Sequence, residues 1–286
     1  MEASLARRLW RVGEPVHAII YFHPASTAAW TSAGIRGFWR GYFATRAAPF
    51  GEVGPGPVTA SFYNFHPAMV ARALPEVWTM ASPGDALAAR LAGADAALRD
   101  VLGDDAAAGD LVAVAALLRV VVGRASVAGR ALFGANVALP WPEEPLLALW
   151  HGLTLLREHR GDGHNATLLA NGIDGCGAHV LAAAVGGAPR DVTQPARGWT
   201  DDDWDAATEA LSVRGLVGGE GVATQAGREL HAAIERRTDE LAAEPWARVD
   251  DASLEQAVTT LARLAGRVAG SGAIRFPNPM GLPAPD

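Results

Sequence analysis

The sequence contains no lysine: all 24 of its basic residues are arginine. Schiff-base chemistry and pyridoxal phosphate enzymes are excluded with it, as is a P-loop, whose lysine holds the phosphates. Cysteine occurs once, at Cys176, so neither an intramolecular disulfide nor a multi-cysteine metal site can form. No apolar run reaches the roughly 18 residues that span a bilayer. The best, Leu111 to Val122, is short and holds Arg119. Met1 to Arg11 carries Arg7, Arg8 and Arg11 with no apolar stretch behind them. A secretory signal is therefore not expected, and the cytoplasm is the expected compartment. Neither a G-x-S-x-G nucleophile elbow nor a G-x-G-x-x-G dinucleotide loop occurs.

What is present is a chain of 286 residues, 50% hydrophobic and 19% charged, enough for a substantial core and too apolar for disorder. Charge is uneven. Residues 1–80 carry a net of +3 and residues 81–286 a net of −10, for −7 in all. A body this acidic gains little from a polyanionic partner.

Patterning predicts mostly helix. Pro15 to about Ile35 reads as a helix that Pro24 interrupts, and Gly37 to Ala47 as a second. Val58 to Phe65 is β-branched and aromatic, which predicts an extended run. Helical patterns follow over 67–80, 82–110 and 111–122, then a Pro/Trp turn segment over 136–144. Pro145 to Arg160 reads as a helix closed by Gly161-Asp162-Gly163, with a new helix from His164 to Ala170 and another over 173–185. Thr200 with Asp203 forms a capping box, and the helix it starts ends at Arg214 before Gly215. A tight hairpin over 216–224 then leads into a long helix capped by Thr224.

Three polar groups lie within apolar segments. Glu14, His17 and Tyr21 share a helix face: either an acid/base set or a hydrogen-bonded patch tying two helices. In Tyr63-Asn64-Phe65-His66-Pro67, Asn64 and His66 either cap the next helix or, with Tyr63, line a pocket. The third group is His151, Glu158, His159 and His164, with Thr154 on the same face as His151 and Glu158. Its spacing matches no zinc signature and Arg157 and Arg160 repel a cation, so no metal is expected. Arg36, Arg40 and Arg46 interleave with Trp39, Tyr42 and Phe43. That pattern suits an anionic or aromatic ligand or single-stranded nucleic acid, or else an amphipathic helix with arginines reaching to solvent.

The order helix, helix, capped helix, hairpin, long helix is that of a winged helix. The stretch GWTDDDWDAATEALSVRGLVGGEGVATQAGREL resembles the recognition helix and wing of MarR-type regulators. More of the chain resembles a family of actinobacterial helix-turn-helix proteins of poorly defined activity. That resemblance is carried by EPVHAIIYF, GFWRGYFATRAAPFG, FYNFHPAMVARALPEVW, LWHGLTLLREHRGDGH and PNPMGLP. It implies two winged-helix-like units and supplies no catalytic residue.

The expected fold is mainly α, with winged-helix-like units at 1–85 and 145–245, a helical connector at 86–144 and a Pro-rich tail after a last helix at 246–286. The expected function is binding of a small anionic or aromatic molecule, in specialised metabolism, resistance or ligand sensing. The expected lining is Tyr21, Arg36, Trp39, Phe43, Arg46, Tyr63, Asn64, His66, His159 and His164. Glu14, His17 and His151 are the catalytic set if the chain is a metal-independent enzyme; a MarR-like regulator is the other alternative. No cofactor and no membrane are expected, and a homodimer is left open. Specific duplex DNA is not expected, because residues 200–214 carry five carboxylates against Arg214.

Overall fold

A computed structural model describes residues 3–282. Its helices, in chain order, are α1 (Ala3–Ala18), α2 (Pro24–Ser32), α3 (Phe38–Ala47), α4 (Pro55–Phe62), α5 (Pro67–Ala71), α6 (Pro83–Leu102), α7 (Gly109–Val122), α8 (Ala131–Val137), α9 (Pro145–Ala170), α10 (Gly175–Ala184), α11 (Arg190–Arg197), α12 (Asp201–Val213), α13 (Gln225–Ala243) and α14 (Asp251–Gly270). The fold is mainly α, as the patterning predicts. Among the described residues β pairing is confined to one antiparallel bridge, Val217 to Ala223. A tight turn is therefore found after α12, whereas among the described residues of 1–85, where the other winged-helix-like unit is expected, all regular structure is helical.

Local chemistry explains the boundaries. Proline, which needs no N–H partner at a helix start, opens α2, α4, α5, α6 and α9. Ser82 with Asp85 and Thr200 with Asp203 form complete capping boxes. Gly215, at φ +69°, takes the left-handed conformation that ends α12.

Three expectations are corrected. Helix α1 begins well before Pro15, and Pro24 starts α2 rather than interrupting a longer helix, with the His23 imidazole accepting from the Ala25 N–H. The segment predicted to be extended, Val58 to Phe65, lies largely in α4. Its Val58 and Phe62 are buried on one side of a single two-turn helix, so packing outweighs β propensity. The predicted stop at Gly161-Asp162-Gly163 is absent, and α9 runs unbroken for 26 residues. Those residues mark a close approach. The Asp162 carboxylate accepts the Phe133 N–H near the start of α8 at 2.9 Å, and a Cβ on Gly163 would sit 2.7 Å from Arg130 Nη1.

Two main hydrophobic cores share the chain, beside two clusters of three buried residues each. The larger draws on side chains from Leu9 to Leu282, and α1 packs within it against α9, α13 and α14. The smaller, from Leu168 to Ile234, lies among the end of α9, α10, α12 and α13, around Trp204, Leu211 and Leu216. Helix α9 contributes to both, Leu146 and Trp150 to one and Leu168 to the other, and so fixes one against the other.

Because the Thr200 hydroxyl satisfies the Asp203 N–H at 3.1 Å, Thr200→Ala is expected to lower stability by about 1 kcal/mol. The denaturant midpoint measures it; an unchanged midpoint would show that the capping box contributes nothing.

Candidate functional site

Glu14 and His17, at the C-terminal end of α1, and Tyr21, just after it, face α9 and α3 from inside the larger core. There they meet Thr154, Arg157 and Glu158 of α9 and Tyr42 and Arg46 of α3. Arg157 donates from Nε to Glu14 Oε1 at 3.2 Å and from Nη1 to Glu158 Oε1 at 2.8 Å. Arg46 donates from Nη2 to both Glu158 oxygens at 3.2 Å and from Nη1 to the Tyr42 hydroxyl at 2.8 Å. Its guanidinium lies 4.1 Å from the Phe62 ring centre. Arg197, at the end of α11, stacks 4.5 Å from the Phe65 ring, faces Tyr42, and donates from Nη2 to the Pro279 carbonyl at 2.5 Å. One layer away, Arg90 is buried with no carboxylate in hydrogen-bond reach, donating to the Thr45 carbonyl and to Asn136 Oδ1.

The tautomer of His17 follows from the network. The Thr154 hydroxyl spends its proton on the Trp150 carbonyl, 3.0 Å away. At 3.1 Å from His17 Nδ1, that hydroxyl must then accept, so the ring carries its proton on Nδ1. His17 Nε2 is left to accept from the Tyr21 hydroxyl at 3.2 Å. Trp150 stacks on the imidazole and donates its indole N–H to the His17 carbonyl, which fixes the ring between two aromatic surfaces.

Burial and the surrounding arginines split the titrations. Burial alone would raise Glu158, but Arg157 and Arg46 hold it down at about 2. Glu14, with only Arg157 in contact, is raised by burial above the ordinary carboxylate range. Burial, with Arg157 beside it, holds His17 well below the usual imidazole range. Burial pushes Tyr21 up to about 12, whereas Tyr42 stays below its ordinary value because Arg46, Arg197 and Arg157 offset the burial. Three guanidiniums thus stand against two carboxylates. Arg46 Nε, Arg197 Nε and Glu14 Oε2 are buried and have no hydrogen-bond partner among the described residues.

A crevice of about 40 Å³ reaches this cluster from the α1, α9 and α13 side. Glu14 and Arg157 line it together with Trp10, Leu153, Arg160 and Trp246.

The remaining expected residues stand elsewhere. Arg36 is exposed ahead of α3, and Trp39 and Phe43 pack on Phe65. Tyr63 donates to the Ile173 carbonyl at 2.5 Å, and the Asn64 carbonyl accepts from Trp199 Nε1 and pairs with His179 Nε2, each at 3.1 Å. His66 caps α5 and lies edge-on to Trp199. These three tie the N-terminal segment to residues 173–199 rather than joining the cluster. His151 lies against Trp141 and His159 against Phe133, and His164 bonds Thr238 at 2.9 Å; none of them hydrogen-bonds to the cluster. Tyr42 could have been found as the i−4 neighbour of Arg46 on α3. Arg90 and Arg197 carry no local signal, since only the fold brings them near.

Removing one partner of a buried pair strands the other, so Glu158→Gln is expected to lower stability by about 3–5 kcal/mol. Glu158 is depressed in the fold, so its contribution is present above the ordinary carboxylate range and lost as pH falls toward about 2. Acid unfolding of the variant should therefore show a flatter dependence than the wild type over that range. An equal slope in both would remove Glu158 as the group responsible.

Among the described residues, no group of three or more His, Cys, Asp or Glu side chains is placed to hold a metal ion. No curated protein and no solved structure matches the chain. A family model described as a helix-turn-helix family matches residues 6–275, nearly the whole sequence. The chain therefore belongs to a helix-turn-helix family.

Proposed function

We propose that the chain binds a small anionic molecule at the cluster of Arg46, Arg157, Arg197, Glu14 and Glu158, and that its helix-turn-helix fold serves as scaffold for that site. The observation that carries this reading is the unbalanced guanidinium charge, with the buried Nε donors of Arg46 and Arg197 left without acceptors. Buried polar groups are costly unless paired, and an anion supplies the missing acceptors. The aromatic surfaces of Tyr21, Tyr42, Phe62 and Phe65 keep the arginines dehydrated, which strengthens any charge-assisted bond they make. The family resemblance rests on five segments, and each contributes to the cluster: Glu14 to Tyr21, Tyr42 and Arg46, Phe62 and Phe65, Thr154 to Glu158, and the Pro279 carbonyl.

The alternative of a MarR-like regulator is disfavoured at α12, the helix that would enter the major groove. Its exposed residues include Asp201, Asp202, Asp205 and Glu209, which repel phosphate. The arginines beside it are spent internally. Arg190 pairs with Asp201 and Asp205, and Arg214 donates to the Gly172 and Asn171 carbonyls at the end of α9. A metal-independent acid/base role is favoured by one feature, the carboxyl of Glu14 held above its ordinary range beside the crevice.

Calorimetry with butyrate, benzoate and inorganic phosphate tests the binding reading. At least one should bind, and Arg46→Met should weaken it by about 10- to 100-fold, the worth of a hydrogen bond to a charged group. Equal affinity in the variant, or no binding of any anion, would overturn the reading. In a footprinting assay at physiological salt the wild type should protect no specific duplex; protection lost on Arg214→Ala would restore the regulator.

A further inference from the structure

The crevice and the cluster meet at a single ion pair, and its two carboxylates are not equivalent. Glu158 has both oxygens bonded by Arg46, and Oε1 also by Arg157. Glu14 has one contact, Oε1 with Arg157 Nε at 3.2 Å, while its buried Oε2 has no partner. Glu14 lines the crevice, and Glu158 is not among the lining residues. Glu14 thus occupies the arginine edge that an incoming anion would need, and it is the more weakly held of the two.

The walls define what can enter. Leu9, Trp10, Leu153, Leu156 and Trp246 are apolar, and Arg160, the other cation lining the space, is held by Asp239 at 2.7 Å. About 40 Å³ corresponds to roughly three water molecules, or a group of about four heavy atoms. An apolar wall of this size accepts a short hydrocarbon tail and gives nothing to a phosphate dianion.

We propose that the crevice takes a short aliphatic monocarboxylate, whose carboxylate replaces Glu14 on the Nε edge of Arg157 while Glu14 takes a proton from solvent and remains as the neutral acid. The proposal rests on the reading of the arginine cluster as an anion site, and it places the carboxylate on Arg157, the arginine of the cluster that lines the crevice, rather than on the Nε groups of Arg46 and Arg197. Exchanging one carboxylate for another on Arg157 keeps the buried charge constant, so the site fills without desolvating an additional net charge. The protonated Glu14 also gains an O–H donor that the ionised form lacks.

The other charges near Glu14 do not substitute for it. On α3, Arg46 is held by Glu158; on α9, Arg157 and Glu158 bond each other and Arg160 bonds Asp239. On α1 itself His17 is neutral and fully engaged between Thr154 and Tyr21. From α13, Glu235 and Asp239 are taken by Arg7, and from α14 Glu255 pairs with Arg8. Complex formation adds one proton, so affinity rises as pH falls, down to the titration of free Glu14 or of the ligand itself.

The test is butyrate calorimetry on the full chain in two buffers of different ionisation enthalpy, between about pH 6 and about pH 8. The wild type should show net proton uptake approaching one per butyrate, with affinity falling up to about tenfold per pH unit. In Glu14→Gln the uptake and the pH dependence should both vanish while butyrate still binds. If that variant does not fold, the Glu14 carboxyl carbon resonance in the wild type is read instead, and it should move to the protonated position when butyrate is added. Binding without proton uptake, uptake retained in Glu14→Gln, or an unmoved resonance would overturn the proposal. Arg46-dependent binding of phosphate or benzoate without butyrate would overturn it and leave the anion-binding reading standing. No binding of butyrate, benzoate or phosphate at all would remove both.

Discussion

The carboxylate of Glu158 is the point on which the interior depends. It is buried, yet it stays ionised because Arg157 on its own helix and Arg46 on α3 both reach it. Through Arg157 the same network takes in Glu14, so α1, α3 and α9 are joined at one place by charge as well as by packing. A buried ion pair of this kind is a poor source of net stability compared with a hydrophobic replacement, but it penalises every arrangement in which one partner is missing. The surplus of arginine over carboxylate in the cluster is therefore the feature that needs an explanation from function.

The α10–α13 segment shows the complementary pattern. Its element order is α10, α11, the capped α12, the tight turn at the Val217–Ala223 bridge, and α13. Its electrostatics are reversed, with a carboxylate-lined outer face on α12 and its neighbouring arginines used as internal clamps. Positive charge has instead been drawn into the body, where Arg46, Arg90 and Arg197 are buried. Helix α9 links the two regions, ending one core and beginning the other.

The mainly helical fold, the Thr200 capping box and the position of the tight turn were legible because each rests on short-range chemistry. The grouping of Glu14, His17 and Tyr21 was legible from spacing, since that relation survives whatever the tertiary structure does. Long-range placement was not. Glycines 161 and 163 signal a helix stop in a linear reading, and only the approach of Arg130 shows why a glycine stands at 163 inside α9, whereas nothing crowds Gly161. His66 and His151 looked like companions of His17 because they lie in aromatic or apolar segments. In the structure they serve a cap against Trp199 and an edge contact with Trp141. Arg197 entered the cluster from a part of the sequence distant from every other member, and neither composition nor periodicity points to it.

The central claim is that the buried arginines lack an acceptor that a ligand supplies. Nitrogen-15 NMR of the arginine Nε–Hε groups reads this directly on the wild-type chain, titrated with the anion whose binding calorimetry shows to depend on Arg46. The account predicts that the Arg46 and Arg197 Hε resonances shift downfield and exchange more slowly with water, both along one saturation curve. Resonances that stay fixed, or that already sit at hydrogen-bonded positions in the free protein, would contradict it.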